Sequence, residues 1–95
     1  MISSYEKNNY GEVLETLIKC FRPVCCVELG ILDGYSTVHI SNAIKVNKER
    51  WGLNGHLDAY DLWEDYQYKH GKMQEVVDML ENKFLTSNKI GRAHV

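Results

Sequence analysis

The chain has 95 residues, of which 44% are hydrophobic and 25% charged, and its formal charge is -2. That length allows one small domain, and the near-neutral balance leaves no electrostatic footprint for nucleic acid or an anionic membrane. No apolar run approaches the roughly 20 residues that span a bilayer. The polar stretch from Met1 to Tyr10 lacks the apolar core of a signal peptide, so a cytoplasmic location is expected.

Tyr10 to Phe21 reads as a helix, because Val13, Leu14, Leu17, Ile18 and Phe21 recur at the helical period and form one apolar stripe. Pro23 forbids its continuation. Val24 to Leu29 is a short, mostly apolar run with Glu28 near its end, the pattern of a strand buried on both faces in a parallel sheet. Gly30 to Tyr35 is a glycine-bearing turn. Ser36 is a suitable N-cap for a second helix, which carries Val38, Ile40, Ala43 and Ile44 and should end near Lys48, ahead of Gly52 and Gly55. His56 to Trp63 reads as a second strand, Glu64 to Gly71 as a polar, aromatic-rich loop. Lys72 to Leu85 reads as a third helix with Met73, Val76, Val77, Leu80 and Phe84 on one face. Helix, strand, helix, strand, helix is the order of an α/β domain with parallel strands and right-handed crossovers.

The three cysteines, Cys20, Cys25 and Cys26, are an odd number and do not form a disulfide framework. Cys25 and Cys26 are adjacent, and neighbours on a strand point to opposite faces, so no metal site is expected from them. His39 and His56 read as surface or strand-end residues. Tyr66, Tyr68 and His70 read as loop packing, with a substrate contact as the alternative.

The segment that carries chemistry is Val27-Glu-Leu-Gly-Ile-Leu-Asp-Gly-Tyr-Ser36. A strand ends in an acid, a glycine turn follows and a helix begins. Glycine lets the backbone approach a ligand closely, and free amides at a helix N-terminus favour a negative group. In an open α/β sheet ligands bind at the carboxyl ends of the strands, where this turn falls. The dinucleotide fingerprint places glycines at relative positions 0, 2 and 5. Here Leu32 stands at the second of these, and the next glycine after Gly30 is Gly34, so the spacing fits a dinucleotide poorly.

The same segment resembles motif I of the class I S-adenosylmethionine (SAM) dependent methyltransferases, an acid followed by alternating glycines, with Leu32 in place of the middle glycine. Many O-methyltransferase-like members depart in this way and share the Gly34-Tyr35-Ser36 ending. The resemblance covers about Tyr10 to Leu85. It implies a partial Rossmann-like parallel sheet, truncated after about two strands, and SAM as cofactor. It also implies roles. Glu28 orients the methionine amino group, Gly30 and Gly34 let the backbone pass close to the cofactor, and Ser36 with the helix amides, next to Tyr35, holds the methionine carboxylate. Asp61, in Tyr60-Asp-Leu-Trp-Glu-Asp-Tyr66, accepts hydrogen bonds from the ribose hydroxyls, and Leu62 and Trp63 lie against the adenine. Asp58 and Asp65 are rivals to Asp61, but only Asp61 sits where the apolar strand ends. Glu28 has a plainer reading as a strand-end charge capping an amide, Ser36 as an N-cap, and Trp63 as a residue closing the core.

The function implied is methyl transfer to a small-molecule acceptor, with the catalytic base and acceptor pocket beyond this segment. The alternatives are a non-catalytic SAM-like or nucleotide-binding Rossmann domain, a dinucleotide-dependent oxidoreductase, and hydroxylase-like relatives sharing this half. The last residues, Ile90-Gly-Arg-Ala-His-Val95, match the translation of a common sequencing-library adapter, and a Lys89 codon of AAG supplies the adapter bases before it. Residues 1–89 are therefore expected to be the N-terminal part of a SAM-binding domain, and 90–95 a non-native tail belonging to no element.

Overall fold

The computed structural model describes residues 4–66, 70–83 and 88–92. A short helix α1 (Ser4–Lys7) leads into α2 (Tyr10–Phe21), and the apolar stripe read from the sequence is wider than the contact it makes. Leu14 and Ile18 pack against the core, whereas Val13, Leu17 and Phe21 are exposed. Arg22 closes α2 in the left-handed region at φ 53, its N–H bonded to the Ile18 carbonyl, and Pro23 then prevents another turn. The Arg22 guanidinium lies 4.0 Å over the Trp51 ring, a cation–π contact that ties the end of α2 to the end of α3.

β1 (Cys25–Leu29) follows, one residue shorter at its start than expected, then α3 (Tyr35–Trp51) and β2 (His56–Asp61). β1 and β2 pair in parallel, with Cys26 opposite Leu57 and Glu28 opposite Ala59. Side chains alternate along a strand, so Cys26, Glu28, Leu57 and Ala59 share the face that the helices cover. Leu57 and Ala59 are fully buried there. The other face differs from expectation. Val27 and Leu29 are 63% and 78% exposed, so β1 is buried on one face, not both.

α3 begins one residue before Ser36, because Gly34 takes the N-cap position at φ 90 and the Asp33 carboxylate accepts the Tyr35 N–H at 3.2 Å. It runs past Lys48 to Trp51, where Gly52 at φ 68 returns its N–H to the Lys48 carbonyl. The Asn47 side-chain amide donates to the Ile18 carbonyl at 2.9 Å, holding α3 against α2.

β2 stops at Asp61 instead of Trp63. The Asp61 carboxylate accepts the Trp63 N–H at 2.7 Å, and the chain turns into a 3₁₀ segment (Trp63–Asp65). α4 (Met73–Lys83) buries Val76 and Leu80. Its N-terminus is capped by Glu64, which accepts the Met73 N–H at 3.1 Å. Phe84 and Leu85, expected to continue this helix, lie outside the described residues, as does Tyr68.

A third strand takes in residues that were expected to belong to no element. β3 (Asn88–Arg92) pairs with β2 in parallel, Ala59 facing Ile90 and Asp61 facing Arg92. Residues 90–92 therefore belong to an element. The sheet has three strands in the order β1-β2-β3, where about two were expected. Ile31, Ile40, Ile44, Leu57, Ala59, Trp63, Val76 and Leu80 form the core, and Ile90 packs against it. Among the described residues no helix is long and apolar enough to cross a membrane.

Candidate cofactor site at the carboxyl ends of β1 and β2

Parallel pairing brings the last residues of β1 and β2 to one end of the sheet, so the loop after β1 and the acid ending β2 meet there. Asp61 fastens that loop. One carboxylate oxygen accepts the N–H of Ile31 at 2.5 Å and of Leu32 at 3.0 Å, while the other accepts Trp63 N–H. A carboxylate has about four lone-pair sites, so three are taken by the chain's own amides and one remains. Asp58 lies on the opposite face of β2, beside His56, and Asp65 lies in the 3₁₀ segment.

Glu28 is buried beside the start of α3. The hydroxyls of Ser36 and Thr37 each donate to one of its carboxylate oxygens. Burial pushes the Glu28 carboxyl above its ordinary value; the two hydroxyl bonds pull it down in part, and the neighbouring Asp61 charge pushes it up further. Ser36, read from the sequence as a cap, instead lies inside the first turn with its hydroxyl committed to Glu28. Thr37, fully buried, is the partner that sequence reasoning missed. The available signal was a second hydroxyl next to Ser36 on the turn that follows an acid-ended strand.

The loop itself is strained where glycine is absent. Leu32 adopts φ 59, in the left-handed region, and L-residues there cost roughly 1–2 kcal/mol. This is the position of the middle glycine in the motif that the segment resembles. Gly30, at φ 89, has open space where a Cβ would project, with nothing within 4 Å, so the backbone there is accessible to a ligand. Gly71 packs on the loop from the other side: a Cβ on it would lie 1.8 Å from the Leu32 carbonyl oxygen. Only glycine fits, and the connection before α4 presses directly on the glycine loop.

Of the remaining candidates, Tyr35 points its hydroxyl away, accepting the Gly11 N–H at 3.0 Å, and stacks edge-on against His39 with ring centroids 4.6 Å apart. His39 in turn contacts Glu15 of α2. Leu62 is half-buried beside the loop end. Trp63 is fully buried, and its indole N–H donates to the Gly91 carbonyl at 3.1 Å, so it closes the core beneath β3. The structure thus gathers Glu28, Gly30, Gly34, Ser36, Asp61 and Leu62 at one end of the sheet, and turns the Tyr35 and Trp63 side chains elsewhere.

A glycine loop between two parallel strands, flanked by an acid from each, places the chain in a defined structural class. The fold is that of the class I methyltransferases over the part the chain spans. Three solved structures show it. A putative O-methyltransferase from Klebsiella pneumoniae superposes with a TM-score of 0.67 at 17% identity over 99% of this chain. The O-methyltransferase TomG from Streptomyces achromogenes, involved in tomaymycin synthesis and solved in complex with SAM, also gives 0.67 at 17% over 99%. Cofactor-bound Rv0187 from MTB gives 0.61 at 20% identity over 99%. The chain spans 36%, 35% and 36% of those chains respectively. No protein-family model matches the sequence, and no curated protein matches it.

Proposed function

We propose that the chain is the SAM-binding portion of a methyltransferase that acts on a small-molecule acceptor. The observation that carries this reading is the pair of carboxylates, Glu28 and Asp61, flanking an open glycine loop at the carboxyl ends of adjacent parallel strands. The residues present fit such a cofactor: Gly30 leaves free space against the backbone, and both acids are fixed before any ligand arrives. When bound, SAM supplies an activated methyl group on a sulfonium.

The chain's own residues do the holding. Glu28 is aimed by Ser36 and Thr37 so that it meets the methionine amino group. Gly30 and Gly34 let the backbone pass close to the cofactor, and the Ser36 and Thr37 amides in the first turn of α3 are offered to the methionine carboxylate, the Gly30 and Gly34 amides being bonded to the Tyr60 and Ile31 carbonyls. Asp61 offers its remaining lone pair to a ribose hydroxyl, and Leu62 offers an apolar surface to the adenine. Because sulfonium transfer depends largely on position, this fixed geometry is a large part of catalysis. A base that removes the acceptor proton would come from other residues.

One observation favours a second reading, a Rossmann domain that binds a nucleotide weakly or not at all: Asp61 already has three internal partners. Calorimetry with S-adenosylhomocysteine separates the two. A charge-assisted hydrogen bond is worth about 1.5–3 kcal/mol, so Asp61→Ala should weaken binding roughly ten- to a hundredfold. Asp65→Ala should leave it unchanged. Equal affinity for wild type and a folded Asp61→Ala protein would favour the second reading.

A further inference from the structure

The amino ends of β1 and β2 lie at the opposite end of the sheet from Glu28 and Asp61, and they carry a separate group of side chains. Parallel register sets Cys25 beside His56. Neighbouring strands run about 4.7–4.9 Å apart, and residues two apart on one strand share a face, so Asp58 joins Cys25 and His56 on the face that the helices leave open. The Cys25 thiol, a His56 ring nitrogen and an Asp58 carboxylate oxygen all lie within 4.8 Å of one another. His56 Nε2 is 4.0 Å from the nearer Asp58 oxygen. Cys25 and His56 are exposed and Asp58 is half-buried. An ion therefore reaches all three from solvent, and small rotamer changes bring the donors to bonding distance.

We propose that Cys25, His56 and Asp58 form a mononuclear zinc site. Thiolate, imidazole and carboxylate are the donors zinc takes in tetrahedral sites, and three protein ligands leave the fourth position to water. Calcium and magnesium, which take all-oxygen shells, do not fit this set. Binding displaces the thiol proton of Cys25 to solvent. An ion held there would bridge β1 and β2 at their starts, away from the glycine loop. This inference is independent of the proposed methyl transfer. The ligands escaped the sequence reading because no local spacing links Cys25 to His56; only strand pairing does.

The full chain, freed of metal with a chelator, is titrated with Co²⁺ alone and then with Zn²⁺. One Co²⁺ per chain is expected, with a thiolate-to-cobalt charge-transfer absorption that Zn²⁺ abolishes. Cys25→Ser should remove that absorption, and His56→Ala and Asp58→Asn should each weaken binding by at least about tenfold. Cys20→Ser and Cys26→Ser should leave it intact. A second measurement needs no variant: Zn²⁺ should slow alkylation of Cys25 in the wild-type chain, read by mass spectrometry, while the exposed Cys20 reacts at its former rate. Absorption that survives Cys25→Ser, no absorption in a wild-type chain with native circular dichroism, or equal alkylation of Cys25 with and without Zn²⁺ overturns the site.

Discussion

The two faces of the β1–β2 sheet obey different rules. On the helix-covered face Leu57 and Ala59 are fully buried, and Glu28 there has both oxygens paired. On the other face Val27 and Leu29 meet solvent although they are as apolar as their neighbours. Parallel sheets are ordinarily covered on both faces, and the apolar run Val24 to Leu29 is written for such burial. Apolar patterning therefore records where burial is intended, whereas the contacts present decide which residues hold the fold. The same difference separates Leu14 and Ile18 of α2, which touch the core, from Val13, Leu17 and Phe21, which do not.

That contrast is most sharply broken by paired truncations on the two faces. Leu57→Ala removes a fully buried side chain and should cost about 2–5 kcal/mol, enough to abolish cooperative unfolding in a chain this small. Val27→Ala should stay within about 0.5 kcal/mol of wild type. Urea denaturation followed by far-ultraviolet circular dichroism reads both, and equal losses would show that the open face is buried in solution.

A smaller effect is expected from removing residues 90–95. A tail belonging to no element would be dispensable, but Ile90 packs on the core and the Gly91 carbonyl accepts the Trp63 indole N–H. Leaving that buried donor unpaired costs about 1–3 kcal/mol. A stop after Lys89 should therefore lower the denaturation midpoint, and an unchanged midpoint would show that β3 contributes nothing.

Glu28 gives a pH-dependent contrast. Its folded-state carboxyl titrates above the ordinary value, so the folded chain binds more protons than the unfolded chain between the two values. The destabilising contribution of ionised Glu28 is therefore absent below the unfolded value and grows as pH rises through the folded value. Glu28→Gln, which keeps the shape and can still bond both hydroxyls, should remove this pH dependence and leave the chain at least as stable near pH 7. A mutant less stable than wild type at neutral pH would mean that the hydroxyl bonds outweigh the burial of the charge.

The smallest effect tests backbone strain at Leu32. Leu32→Ala and Leu32→Gly lose the same contacts beyond Cβ, but only glycine accepts φ 59 without cost. The glycine variant should be the more stable of the two by up to about 1 kcal/mol, a difference that thermal melts resolve. A more stable alanine variant would place the loop in another conformation.

Much of this architecture was legible in the chain. Helix α2 falls where the 3.6-residue periodicity places it, and its end follows from Pro23. Parallel pairing of β1 and β2 follows from the helix between them. β3 was not legible, because Asn88-Lys-Ile-Gly-Arg92 has no run of β-branched or aromatic residues and is held by backbone bonds to β2, by the packing of Ile90 on the core and by the Trp63 indole bond to the Gly91 carbonyl. At the candidate site the acids Glu28 and Asp61 and the glycines were visible as a motif. Their partners were not: that Asp61 holds the amides of Ile31 and Leu32, and that Thr37 shares Glu28 with Ser36, depends on how strands and helix meet. Trp63 shows the limit from the other side. Its place after Asp61 resembles an adenine contact, but the left-handed turn at φ 56 sends its ring into the core.

The site proposed at the carboxyl ends of β1 and β2 is of the SAM type and not a dinucleotide site. The most direct measurement is a calorimetric titration of the 95-residue chain with S-adenosylhomocysteine and, separately, with NAD. Saturable binding of one S-adenosylhomocysteine per chain is expected, with no heat of binding from NAD. Saturable binding of NAD with none of S-adenosylhomocysteine would contradict that assignment.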